Sequence, residues 1–321
     1  MDAQKIIGKQ DKNDWIINPK EHAASLPKEA ETLKKILRSS KVEMLRQCFD
    51  QHNSQAIESQ KLYLKQSKRR IIGSTLSVIV GAVILYVQST DGILIDFSQY
   101  KDIIINTLGV IELGLLAMTT YYVTILKNSN MYEDWMDERS NAENVRIQYF
   151  KEITKSGDKN DIDLAKLQLE YFYRYMLCVQ LNYYEGRGEQ HKKNANKFTT
   201  RTGMLTMIAA VVTAVPATIN VAKSSTDIVA LLAFISAVVA ALTTMQSQLS
   251  ALSEDQRNAR RYQAVYYKLL RLTGELDTVR NAIEQGKHAA LDIFVARTNE
   301  VLELENQEWQ TRKKRKPKFD E

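Results

Sequence analysis

Proline and glycine are scarce in this sequence, 4 and 12 among 321 residues. Pro19 and Pro27 stand near the N-terminus and Pro317 near the other end. A β-rich fold needs both residue types for its turns, so their shortage points to long helices. Cysteine is nearly absent: Cys48 and Cys178 give neither a disulfide framework nor a metal-ligand spacing, and both are expected as reduced thiols on cytoplasmic helices. His22, His52, His191 and His288 form no HExxH or His-x3-His pattern and are expected at the surface. There is no Walker loop, no GxSxG, no paired-carboxylate signature and no HxE…CxxC set, so no catalytic residue, cofactor or metal is expected and the chain is not expected to be an enzyme. The first 30 residues lack the apolar core of a cleavable signal peptide. Asp2 stands where myristoylation requires glycine.

Acidic residues are outnumbered, 38 against 44 basic ones, for a net charge of +6. Such an excess suits nucleic acid, but the positive charge clusters beside apolar segments, where membrane proteins carry it. No nucleic-acid partner is expected.

What the sequence does hold is four apolar stretches, Ile71–Val87, Ile103–Leu126, Gly203–Val221 and Ile228–Met245. Each is close to the ~17–25 residues that cross roughly 30 Å of hydrocarbon, and Glu112 is the one charged residue within them. A soluble protein can bury an apolar helix, but four in two pairs fit a bilayer better. The expected fold is an all-α membrane protein: four transmembrane helices as two tandem hairpins, with long cytoplasmic helices forming a bundle. The loops within the pairs, Gln88–Asp102 and Ala222–Asp227, are short. The flanks are basic, with Lys65, Lys68, Arg69 and Arg70 before the first span, Lys127 after the second, Arg201 before the third, and Arg257, Arg260 and Arg261 after the fourth. By the positive-inside rule both termini lie in the cytoplasm of a multi-pass inner (plasma) membrane protein.

The hairpins resemble each other. Asn141-Ala142-Glu143 … Tyr149-Phe150-Lys151 follows the second span and Asn258-Ala259-Arg260 … Tyr266-Tyr267-Lys268 follows the fourth, at a constant offset of 266 − 149 = 117. Ahead of the spans, Gly73 pairs with Gly203 at 203 − 73 = 130, and the difference is the longer first loop. The expected division is 1–53, an N-terminal helical region; 54–155, a first two-transmembrane unit; 156–189, a helical connector; 190–311, a second unit; and 312–321, a basic tail. Ser25 is expected to cap a helix with Pro27 in its first turn. Ser156–Asp161 reads as a turn, Gly186-Arg187-Gly188 as a point where the next helix loosens, and Gln285-Gly286-Lys287 as a break.

Several residues could carry function. The helices are expected to continue out of the membrane after each pair of spans: Tyr132, Trp135, Arg139, Ala142, Arg146, Tyr149 and Ile153 share a helix face, and Leu249, Leu252, Gln256, Ala259, Gln263, Tyr266 and Leu270 answer them in the repeat. These faces either pack within or between subunits or bind an anionic ligand through Arg139, Arg146, Tyr149, Arg260 and Tyr266. Within the spans, Ser74, Ser77 and Gly81 share a face, as do Gly109, Glu112 and Thr119, while Thr206, Thr213 and Asn220 recur every seven residues. Such faces allow close packing or line an aqueous path. Glu112 would cost several kcal/mol facing lipid on roughly the translocon scale, so it must face protein or water, as a pore or gating group or as a structural hydrogen-bond partner. Pro216 either hinges or kinks the third span. Lys68, Arg69 and Arg70, and the tail Arg312, Lys313, Lys314, Arg315 and Lys316, suit an anionic membrane surface at about 1 kcal/mol per residue.

Basic and aromatic residues before a two-span hairpin (Tyr63 to Arg70, then Ile71), with Arg/Ala/Tyr-spaced helices after it (Arg139 to Lys151, Arg257 to Lys268), resemble the SLATT family, two-transmembrane effector domains associated with bacterial nucleotide-sensing and SLOG proteins. The resemblance covers about Ser54–Lys151 and Gln190–Gln310, two units in tandem. It implies a pore-forming effector of prokaryotic conflict systems such as antiphage immunity, responding to a nucleotide signal. No nucleotide-synthesising or SLOG domain is recognisable here, so the resemblance implies a separate sensing protein, or sensing by the helical cytoplasmic part itself. The expectation is therefore an oligomeric, pore-forming or membrane-disrupting effector. The alternative is a non-conducting membrane scaffold whose helical bundle recruits partner proteins.

Overall fold

The computed structural model describes residues 1–90, 99–158, 160–218 and 226–313, with the side chains at 213, 215–218, 226, 227, 312 and 313 left aside. Among the described residues the chain is all helix, without strands. Its elements are α1 (Ala3–Ile7), α2 (Pro19–Ser25), a 3-10 turn (Lys28–Ala30), α3 (Glu31–Leu37), α4 (Ser40–Ser89), α5 (Lys101–Asn128), α6 (Met131–Lys155), α7 (Ile162–Phe172), a π-helical segment (Tyr173–Cys178), α8 (Val179–Thr218), α9 (Thr226–Ser253), α10 (Asp255–Thr273), α11 (Leu276–Glu284) and α12 (Ala289–Lys313). Contacts gather these into two units. The first comprises Met1–Gln60, Met131–Gln190 and Arg257–Lys318, and the second comprises Lys61–Asn130 and His191–Gln256.

The second unit holds the apolar helices. Among the described residues three helical runs are long and apolar enough to cross a membrane: Ser40–Ser89, Lys101–Asn128 and Ile228–Glu284, the last beginning inside α9. The third expected span, Gly203–Val221, is helical as far as Thr218, and its last residues lie outside the described ones. None of the apolar stretch of α5 is buried within the chain, and Ile103, Val110 and Leu113 are each more than three-fifths exposed. Side chains of this size forgo about 1.5–3 kcal/mol each when left in water. A hydrocarbon surround removes that cost, so the exposure marks lipid-facing surface. The hydroxyls of Thr107, Thr120, Thr124 and Thr206 each return to the carbonyl four residues earlier, which satisfies them without water or a neighbouring helix. The protein is a membrane protein.

The first unit has a conventional core. Leu33 and Leu37 of α3, Tyr149 and Ile153 of α6, Tyr171 and Phe172 of α7 and Phe294 of α12 are fully buried together. Asp161 caps α7 by accepting from the Leu164 N–H at 2.9 Å. Gly286, at φ 78°, ends α11: its N–H and that of Lys287 close onto Ile283 and Ala282, the left-handed helix end that glycine favours. α12 lies along α6, where Asn306 donates to the Ser140 carbonyl at 3.2 Å and Gln310 to the Ser140 hydroxyl at 2.8 Å.

Four local expectations are corrected. Ser25 ends α2 instead of starting a helix, and the cap ahead of α2 is Asn18, which accepts from the Glu21 N–H. Pro27 precedes the 3-10 turn, because its fixed φ serves an extended entry (φ −75°, ψ 172°) as well as a helical one. The helices after the spans do not run on unbroken: α5 stops at Asn128 before α6, and Glu254, at φ 47°, separates α9 from α10. The helix does not loosen at Gly186-Arg187-Gly188. A Cβ on Gly188 would lie 3.6 Å from the Tyr262 Cβ and 3.7 Å from the Gln263 backbone nitrogen, ordinary van der Waals contact, so α8 runs past α10 here as an unbroken, packed helix.

Candidate functional site

In the second unit, α4 and α5 meet through Gly81, Glu112 and Thr119, three of the positions expected on shared faces, and through Gly73. A Cβ on Gly73 would stand 2.7 Å from the Thr119 Oγ1, and one on Gly81 would stand 3.0 Å from the Glu112 Oε1. The pairings run in opposite directions along the two helices, as an antiparallel hairpin requires. Ser77 is buried on the same side of α4, whereas Gly109 has nothing within 4 Å. Glu112 is half-buried, and among the described residues its carboxylate makes no hydrogen bond or ion pair. The Thr119 Oγ1 is buried without a hydrogen-bond partner among the described residues. Glu112 and Thr119 therefore share one seam with Gly73 and Gly81, a polar line within an apolar hairpin.

The remaining span candidates do not join that line. Thr206 is exposed and its hydroxyl is satisfied by the Thr202 carbonyl at 2.9 Å. The backbone at Thr213 and Pro216 is helical, their side chains are not described, and Asn220 lies outside the described residues. Of the membrane-surface residues, Lys68 and Arg69 are exposed, Arg70 is half-buried, and the Arg69 guanidinium sits 5.7 Å from the Tyr122 ring centre. Arg312 and Lys313 end α12 without described side chains, and Lys314, Arg315 and Lys316 lie outside the described residues.

In the first unit the α6 face is a buried charge seam. Arg139 and Arg146 grip Glu143 from either side, at 2.9 and 3.0 Å. Burial disfavours the Glu143 carboxylate, yet Arg146 and Arg139 outweigh it and hold the group below the usual carboxylate range. Arg139 also donates to the Tyr183 hydroxyl at 3.4 Å, and Arg146 lies over the Phe49 ring at 4.8 Å. Tyr149 is fully buried, with its hydroxyl 3.2 Å from that of Tyr171, which lies 2.8 Å from the His22 Nδ1. Burial pushes His22 down to about 4. Arg139, Arg146 and Tyr149 are thus each engaged by protein partners. Arg260, by contrast, is exposed, and Tyr266 is half-buried.

Other polar anchors were not marked by sequence pattern. Arg174 grips Asp14 with two bonds of 2.7 and 2.9 Å, and Arg280 grips Glu170 likewise. Arg261 lies 4.1 Å from the Trp309 ring centre and 5.1 Å from that of Tyr262, with Glu305 at 3.6 Å. Burial raises the Glu305 carboxyl above its ordinary value, against the pull of Arg261 and Arg139. These partners are far apart in sequence, so no local spacing announces them. Composition offers one hint: an Arg or Glu interrupting an otherwise apolar helix face needs a buried counter-charge.

Residues 176–309 match the family model described as SMODS and SLOG-associating 2TM effector domain 1. No curated protein and no solved structure matches the chain. The matched stretch runs from Met176 in the π-helical segment through α8, α9, α10 and α11 to Trp309 of α12, and it holds the second expected pair of spans. Residues 176–309 of this membrane protein are accordingly a SLATT domain, belonging to the two-transmembrane effector domains associated with SMODS and SLOG systems.

Proposed function

We propose that the chain is an oligomeric membrane effector that opens or disrupts a bilayer when a partner nucleotide-signalling protein is engaged, in a prokaryotic antiphage or conflict system. The observation that carries this reading is the Gly81–Glu112 contact: an ionisable side chain held in an apolar hairpin is expensive to retain, and conduction gives it a use. The effector class of residues 176–309 supports the same reading. The hairpin formed by α4 and α5 would be a second such unit ahead of the matched one. Four spans per chain enclose little space, so the conducting form is an assembly of several copies. The membrane is the inner (plasma) membrane, with both termini and the first unit on the cytoplasmic side, where a signalling partner is met.

Purified full-length protein in liposomes tests this. Ion or dye release that rises with protein density supports a pore or a membrane-disrupting assembly. Intact vesicles at every density, with the protein shown to be inserted, would leave a non-conducting scaffold.

A further inference from the structure

The 117-residue motif match places Ser140, Ala142, Glu143, Ile147, Tyr149, Phe150, Ile153 and Thr154 of α6 opposite Arg257, Ala259, Arg260, Ala264, Tyr266, Tyr267, Leu270 and Arg271 of α10. All eight of the α6 residues are buried. None of their α10 counterparts is buried, and Tyr267 and Leu270 are 58% and 42% exposed. α10 instead turns Asn258, Tyr262, Val265, Leu269 and Leu272 inward. Among the described residues, the face that the first hairpin's helix covers is the one that the second leaves open. It has also changed in charge: Arg257, Arg260, Lys268 and Arg271 now edge the aromatic patch and are exposed.

The outer face of α12 is its electrostatic opposite. Asp292, Glu300 and Glu308 are exposed, Glu303 is half-buried with Lys151 of α6 at 3.8 Å, and Arg297 is the one basic residue of α12 among them. Among them stand two large apolar side chains, Ile293 and Leu304, 58% and 48% exposed. At 1.5 Å per residue, Arg257–Arg271 and Asp292–Glu308 span about 21 and about 24 Å, so the faces match in length.

We propose that the α10 face of one copy docks on the α12 face of a second copy, with Tyr267 and Leu270 meeting Ile293 and Leu304 and the basic edge meeting the acidic one. Charge decides the symmetry. Two α10 faces repel each other, as do two α12 faces, so neither makes a two-fold contact. A contact between unlike faces repeats head to tail, and closes into a ring where the rotation allows. The interface rests on the oligomeric reading above and names the surface through which copies join.

The test uses two charge-reversed forms of the full chain. One carries Arg257→Glu, Arg260→Glu, Lys268→Glu and Arg271→Glu; the other carries Glu300→Lys, Glu303→Lys and Glu308→Lys. Circular dichroism and thermal unfolding confirm that each is folded, and light scattering in neutral detergent and in phosphatidylcholine nanodiscs gives its mass. The wild type assembles, each reversed form assembles at least tenfold more weakly, and an equimolar mixture recovers assembly, because the reversed α10 of one then meets the reversed α12 of the other. The uncharged variant Tyr267→Ser/Leu270→Ser also weakens assembly without altering the charge. Wild-type assembly by either reversed form overturns this interface and leaves the oligomeric reading standing. Loss in both without recovery on mixing overturns the pairing of the two faces; if phosphatidylserine vesicles then capture the wild type but not the α10-reversed form, the basic face serves lipid. A wild type that is monomeric in every medium overturns the oligomeric reading itself.

Discussion

Gly81 of α4 sits so close to Glu112 of α5 that a methyl group in place of its α-hydrogen would lie 3.0 Å from the Oε1. One helix turns an absent side chain toward the carboxylate of the other, and the same device recurs where Gly73 meets Thr119 at 2.7 Å. Both glycines exchange helix propensity, about 1 kcal/mol each relative to alanine, for close approach.

The Gly73 contact gives the first prediction. Gly73→Ala forces its methyl into the Thr119 hydroxyl, a short branched group with little room to move, and overpacking of this kind costs about 1–3 kcal/mol. Thr119→Ala removes the obstacle. Thermal or denaturant unfolding in detergent should show Gly73→Ala destabilised and Gly73→Ala/Thr119→Ala restored toward the Thr119→Ala value. Additive effects of the two substitutions would mean that the residues do not touch.

Glu143 is the shared counter-charge of Arg139 and Arg146, with side chains largely buried. Glu143→Ala leaves two buried guanidinium groups without it and should cost about 3–5 kcal/mol in the first unit. Arg146→Ala should cost less, since Arg139 remains on the carboxylate. Equal losses for the two variants, measured by chemical unfolding, would contradict this ranking.

His22 sets a pH dependence. Its pKa falls from 6.5 to about 4 on folding, chiefly through burial; the Asp14 carboxylate works against the fall and the Arg174 guanidinium adds to it. Between those values the unfolded chain binds a proton that the folded chain does not, so stability falls as pH drops from about 6.5 to about 4 and is unaffected by this group above 6.5. His22→Phe should flatten the part of the pH–stability curve due to this residue. A curve of unchanged slope in the variant would show that other groups set it.

Topology is tested with a single cysteine at Ser156, after Cys48 and Cys178 are replaced. The basic flanks predict a cytoplasmic position for it, so an impermeant thiol reagent should label it only in broken cells. Labelling of intact cells would reverse the orientation.

The apolar helices were legible in the sequence because a bilayer demands a run of set length and polarity, and Ile103–Leu126 lies within α5 much as its composition directs. Helical periodicity also put Glu112 and Thr119 on one face, and Gly81 on another, before any contact was visible. Which glycine meets which polar group was not legible, since that depends on the register between two helices. Gly188 shows the same limit: a glycine pair inside a helix suggests loosening from local chemistry, whereas the helix runs on unbroken there, packed against Tyr262. The grip of Arg174 on Asp14 spans 160 residues, so no spacing rule could have joined them. The motif match between the two hairpins was readable, but the faces that the two helices bury differ, because α6 is covered by α7 and α12 whereas the corresponding face of α10 is left open among the described residues.

The most direct measurement is flux through liposomes by the wild type and Glu112→Gln at matched, verified insertion. Gln keeps the size of the side chain against Gly81 and removes only its ionisable group. If the α4–α5 seam lines a conducting path, both proteins insert and assemble, the wild type releases ions, and the variant's cation-over-anion preference or conductance shifts by at least about twofold. Flux from the wild type with an identical variant would take Glu112 out of the path. Wild-type protein, inserted and assembled, that leaves every liposome sealed would contradict the effector mechanism proposed here.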